Sequence, residues 1–111
     1  MKKTRHFESA DRYIFDFDLC SYDKGFSQID TDQDAWYFGT WCNPYTLIII
    51  SYTEGDIVKT ECENEKEFKK ELLDIKEWNI NNGYKFKGID PGLDLNNINK
   101  FKKMGLGELL H

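Results

Sequence analysis

A chain of 111 residues, 40% hydrophobic and 15% aromatic with net charge −5, suits one folded domain over 1–111 and excludes long disorder. No apolar run approaches the roughly 20 residues of a membrane helix, and the basic start 1–6 lacks the apolar stretch of a secretory signal, so a cytoplasmic protein is expected. Eight acids face two bases between Glu8 and Asp34, a local charge of −6, while ten acids balance ten lysines from Ile57 onward; phosphate binding needs a basic surface, which argues against nucleic acid as a direct ligand.

In chain order, residues 1–10 read as a loose arm. Residues 11–19 alternate cleanly, with Tyr13, Phe15, Phe17 and Leu19 on one side and Arg12, Asp16 and Asp18 on the other, the period of a half-buried strand. Turn chemistry follows at 21–25, then a weaker strand at 26–31. A third strand, 35–42, is rich in aromatic residues and is broken by Asn43-Pro44. Residues 47–53 are apolar on both faces, as a strand in the middle of a sheet would be. A short connection at 54–56 leads to a fifth strand at 57–62.

The pattern then turns helical. Asn64 with Glu67 three places on has the spacing of a capping box. Phe68, Leu72, Ile75 and Trp78 follow as one apolar stripe, widened by Leu73 and Ile80. Asn81-Asn82-Gly83 ends the helix. Residues 84–92 are extended, and a short helix capped by Asp94 is expected after them, with Leu93 and Ile98 as its hydrophobic staple and Ile98, Phe101 and Lys102 along its inner edge. Gly105 stops that helix, and Leu106, Leu109 and Leu110 form a tail that packs back on the body. The fold class is therefore α+β: a five-stranded, meander-like antiparallel sheet followed by one long and one short C-terminal helix packed on it.

Motifs for chemistry are sparse. Asp30-Thr31-Asp32-Gln33-Asp34 opens like a calcium loop, but positions 6 and 12 of that loop need Gly and Glu, and Ala35 and Trp41 stand there. A polar turn explains the same letters, and no metal ligand is assigned. Asp16 and Asp18, about 7 Å apart by strand rise, make an acidic face on an edge strand. Cys20, Cys42 and Cys62 are odd in number and have no CxxC spacing, so they form no disulfide framework. Buried small side chains describe them; zinc with His6 or His111, or a Cys20–His6 nucleophile pair, is the alternative. No catalytic residue and no cofactor is assigned.

The group Trp36-Tyr37-Phe38-Gly39-Thr40-Trp41 carries more information. One long helix covers one sheet face, so aromatic residues on the other face must be covered by other segments or by a partner. The expected partner-binding residues are Asp16, Asp18, Asp30, Asp32, Asp34, Trp36, Tyr37 and Trp41, set against a basic protein or a second copy of the chain. The rival expectation is a small metal-dependent or cysteine-based enzyme; a small-ligand pocket between helix and sheet is a third.

The stretches Gln28-Ile29-Asp30-Thr31, Asp34-Ala35-Trp36-Tyr37-Phe38-Gly39-Thr40-Trp41, Ser51-Tyr52-Thr53-Glu54-Gly55-Asp56 and Gly105-Leu106-Gly107-Glu108-Leu109-Leu110-His111 resemble small uncharacterised proteins of plasmids and phages. The resemblance covers most of the chain. It implies no activity and no catalytic residues, but a role in the biology of mobile elements, such as binding and blocking a host protein.

Overall fold

Alternating and helical patterns become a six-stranded antiparallel sheet carrying two helices on one face. The structure is a computed structural model, and it describes residues 3–8, 25–31, 38–53 and 56–111. The strands are β1 (Lys3–Glu8), β2 (Ser27–Thr31), β3 (Phe38–Asn43), β4 (Ile48–Thr53), β5 (Asp56–Glu61) and β6 (Phe86–Asp90). Helix α1 spans Glu65–Asn81 and α2 spans Leu95–Lys103, with a 3-10 turn at Gly107–Leu109. The strand order is β1-β5-β4-β3-β2-β6. β2 to β5 run as a meander, and β4, apolar on both faces, lies inside it as its sequence predicts.

Two differences from expectation concern the sheet. The arm read at 1–10 is strand β1 over Lys3–Glu8, in register with all of β5 from Lys3↔Glu61 to Glu8↔Asp56. Backbone pairing with a neighbouring strand forms it, with little apolar alternation to announce it. The extended stretch after α1 is a full strand, β6, pairing with β2 from Gln28↔Asp90 to Thr31↔Phe86. The fold is α+β with an antiparallel sheet and two helices, as expected, and among the described residues β1 and β6 bring that sheet to six strands. The strand read at 11–19 lies outside the described residues.

The register assigns the two faces. Cys42 stands opposite both Ser27 and Ile49, and Ile29 opposite Ile89. Ile29, Cys42, Ile49 and Ile89 join Phe68 and Leu72 of α1, Phe101 of α2 and the tail residues Leu106 and Leu109 in the main core. Both helices thus lie on this face. The opposite face carries Trp41, paired across the ladder with Gln28 and Ile50. There Phe26, Ile50 and Ile57 form a second, smaller cluster, with Trp41 and Ile48 against it. Among the described residues no helix contributes to that cluster.

Helix boundaries follow their caps. The Asn64 side-chain oxygen accepts from Glu67 N–H at 2.9 Å, and Glu67 Oε1 reaches back to accept from Glu63 N–H at 3.0 Å. Asn82 caps the far end, and Gly83 takes φ +84° there. Asp94 Oδ1 accepts from the backbone of Asn96 and Asn97, fixing the start of α2 as expected.

The stripe of α1 differs in one turn. Phe68, Leu72 and Asn79 are buried and Ile75 half-buried, whereas Trp78 is 54% exposed and stacks on Tyr84 at 6.2 Å. Steps of four, three and four keep the inner face at 3.6 residues per turn, so position 79 and not 78 points inward. Asn79 is tolerated there because its amide donates to Ile75 O at 2.8 Å.

On α2 the buried residues are Asn97 and Phe101; Lys102 is exposed and is not on the inner edge. Leu93 is 99% exposed and staples nothing. Asn97 takes the inner position by donating its amide to Gly25 O at 2.9 Å and Ser27 Oγ at 3.2 Å, which ties α2 to the start of β2. Between α1 and α2, Lys100 Nζ meets Glu65 Oε1 at 3.3 Å.

The apolar tail folds back as predicted. Leu106 and Leu109 are buried, and Leu110 bridges Ile89 in parallel on the outer side of β6. His111 N–H donates to Ile89 O at 2.8 Å. Gly88 makes this approach feasible: at φ +125° it carries no side chain, and a Cβ there would stand 2.8 Å from Leu109 O and 2.9 Å from His111 N.

Candidate functional site

The candidate site is the sheet face opposite the helices, where β2 and β3 meet. Gln28 and Trp41 are cross-strand partners, and Asp30 follows Gln28 by two residues, on the same face. Trp41 is half-buried against the cluster of Phe26, Ile50 and Ile57.

Its indole lies over Gly39. A Cβ built on Gly39 would fall 2.2 Å from Trp41 Cη2 and 2.7 Å from Cζ3, so the glycine is the seat of the ring. A bare backbone under an aromatic ring two residues away is a recurrent device on pleated surfaces. β2 and β3 are antiparallel, so the step from Trp41 to Gly39 runs the same way along the sheet as the step from Gln28 to Asp30. The indole therefore leans toward the Asp30 end.

Asp30 belongs to β2 and pairs with Gly88 of β6, just before an irregularity where Thr31 pairs with Phe86 and leaves Lys87 extra. Its Oδ2 stands 3.2 Å from His111 Nε2, with the two side chains 42% and 47% exposed. The imidazole contributes to that pair as a cation when protonated. Nearby on the same face of β6, Asp90 holds the turn after the strand by accepting from Gly92 N–H at 2.9 Å. Across the sheet, Lys59 on β5 stands opposite Ile50 and pairs with Glu61 at 3.2 Å.

Of the expected partner-binding residues, the structure brings Trp41 and Asp30 to one face. Asp16, Asp18, Asp32, Asp34, Trp36 and Tyr37 lie outside the described residues. Asp30 and Thr31, which open the polar turn read at 30–34, are the end of β2, as the strand read at 26–31 has them, and the rest of that turn lies outside the described residues. Two participants escaped sequence reasoning: Gly39 as the seat of the indole, and His111 as the partner of Asp30. A glycine two places before a tryptophan in a strand is the signal that could have found the first. The second has no local signal, because tail and strand are distant in sequence.

The cysteines behave as core side chains. Cys42 is fully buried in β3 and Cys62 is buried just beyond β5. Burial pushes the Cys42 thiol well above its ordinary range, the reverse of what an activated nucleophile needs. Cys20, and with it the Cys20–His6 pair, lies outside the described residues. Among the described residues no three His, Cys, Asp or Glu side chains gather as metal ligands, and no helix is long and apolar enough to cross a membrane.

Comparison of the chain with protein-family models, with curated proteins and with solved structures finds no match.

Proposed function

We propose that the protein is a non-catalytic binding module or inhibitor that engages a basic protein partner through the sheet face opposite its helices. One observation supports this: a half-buried Trp41, its ring laid over Gly39 toward the Asp30 end of β2, shares with Asp30 a sheet face to which neither helix contributes. Tryptophan beside a charged group is the chemistry of interface hot spots, where a rigid ring supplies area and the charge supplies orientation. The charge of −6 between Glu8 and Asp34 would attract a basic partner over distance. The resemblance to plasmid and phage proteins supports a host protein as that partner.

Affinity capture from a host lysate, eluted with a salt gradient, tests the proposal. Release of a basic protein at moderate salt, lost in Asp30→Lys combined with Trp41→Ala, is the expected result. The pair Asp16→Lys and Asp18→Lys should weaken the same capture. Capture that is indifferent both to salt and to these variants would remove the proposal.

A further inference from the structure

We infer that the outward flank of helix α1 docks an acidic amphipathic helix of another protein. This surface is separate from the sheet face proposed above and does not depend on that reading. Lys66, Lys69, Leu73, Lys76 and Ile80 follow one another in steps of three, four, three and four, so they share one stripe of the helix. That period is the spacing at which one helix meets another along a seam. From Lys66 to Ile80 the stripe is about 21 Å long at the rise of an α-helix. It is open to solvent: Leu73 is 42% exposed and Ile80 54%, Lys66 and Lys69 are exposed, and Lys76 is half-buried. The main core draws on Phe68, Leu72 and Ile75 of this helix instead.

Charge selects the occupant. Lys70 is paired with Asp74 at 3.2 Å, and Lys100 with Glu65 at 3.3 Å. Lys66, Lys69 and Lys76 pair with no carboxylate among the described residues. Two of these three are nonetheless placed. The Lys76 ammonium lies 6.0 Å from the centre of the Phe86 ring, and Lys69 Nζ lies beside Gly105, 3.2 Å from where a Cβ there would stand. Glu77 borders the stripe and leaves positive charge in excess. An incoming helix with aliphatic residues seven apart meets Leu73 and Ile80, and carboxylates at its intervening seam positions meet the lysines. The same stripe of a second copy is no match, since it sets lysines against lysines and holds no carboxylate. A nucleic-acid backbone would meet the lysines but leave both aliphatic side chains in water.

The probes are three dye-labelled peptides of about 21 residues, or three heptads. The first has leucine at every seventh position and glutamate at the other seam position; the second has lysine for those glutamates, and the third serine for those leucines. Each is titrated with the full chain and followed by fluorescence anisotropy. The first peptide should bind about tenfold or more tightly than either control, and should gain helix by circular dichroism on binding. Lys69→Glu and Leu73→Gln, both at exposed positions, should each weaken it about fivefold or more. Lys59→Glu, an equal change of charge on the sheet, should weaken it by less than about twofold. Equal binding of the serine peptide, or binding that Leu73→Gln leaves unmoved in a variant with an unchanged urea midpoint, would show bulk charge attraction and overturn the proposal. Self-association of the chain in sedimentation, abolished by Leu73→Gln, would assign the stripe to a second copy and overturn it as well. If no peptide binds, the docking stripe falls while the sheet-face function stands.

Discussion

Replacing Gly88 by alanine isolates the close approach that holds the C-terminal segment on the sheet. At φ +125° an alanine is strained, by about 1–3 kcal/mol. Its Cβ would also sit 2.8 Å from Leu109 O, 2.9 Å from His111 N and 3.0 Å from His111 Cα, all backbone atoms that cannot swing aside. The segment must retreat, which breaks the bond from His111 N–H to Ile89 O, about 1 kcal/mol. Partial exposure of Leu109 removes about 1 kcal/mol more. The sum is a loss of about 3–5 kcal/mol. Gly83 is the control: it has φ +84°, but a Cβ there would meet no atom within 4 Å, so Gly83→Ala costs only the backbone strain, about 1 kcal/mol. Urea unfolding followed by far-UV circular dichroism measures both. Equal losses in the two variants would refute the close approach, and with it the seat of His111 beside Asp30.

Further outcomes follow from the same packing. Leu72→Ala should cost about 2–5 kcal/mol and Trp78→Ala under about 1 kcal/mol, because the first side chain is buried and the second 54% exposed; denaturant midpoints decide the order. Asn64→Ala should cost about 1 kcal/mol through loss of the cap on Glu67 N–H, read by thermal unfolding. Cys42 should resist thiol reagents at neutral pH until the protein unfolds. Its folded thiol stays neutral while the unfolded thiol ionises near its ordinary value of 9.0, so this residue's contribution to stability is whole below that pH and declines above it; a Cys42→Ala background should lack that decline.

Much of the fold was legible because local chemistry and tertiary structure agree. Asn64, Asp94 and Gly83 act at the helix ends where their side chains, or lack of one, predict. The apolar run 47–50 leads into the central strand β4, and Leu106 and Leu109 are buried as a folded-back tail should be. Misreadings arose where neighbours in space override neighbours in sequence. Lys3–Glu8 has the letters of a loose arm and becomes a strand by pairing with β5. Asn79 and Asn97 look like surface residues, yet each finds a backbone acceptor, Ile75 O and Gly25 O, and so takes a place on the inner face.

The candidate site was legible in part. Trp41 and Asp30 stood out as aromatic and acidic residues, but only the register Gln28↔Trp41 assigns them to one face. The contact of His111 with Asp30 depends on how the tail returns to β6, which no periodicity encodes.

Amide chemical-shift mapping of the labelled protein during titration with the captured basic partner tests the binding face most directly. The account predicts shifts gathered on Gln28, Asp30, Gly39, Trp41 and Ile50, with the outer side of α1 unmoved. Shifts centred instead on Leu73, Trp78 and Ile80 would contradict it.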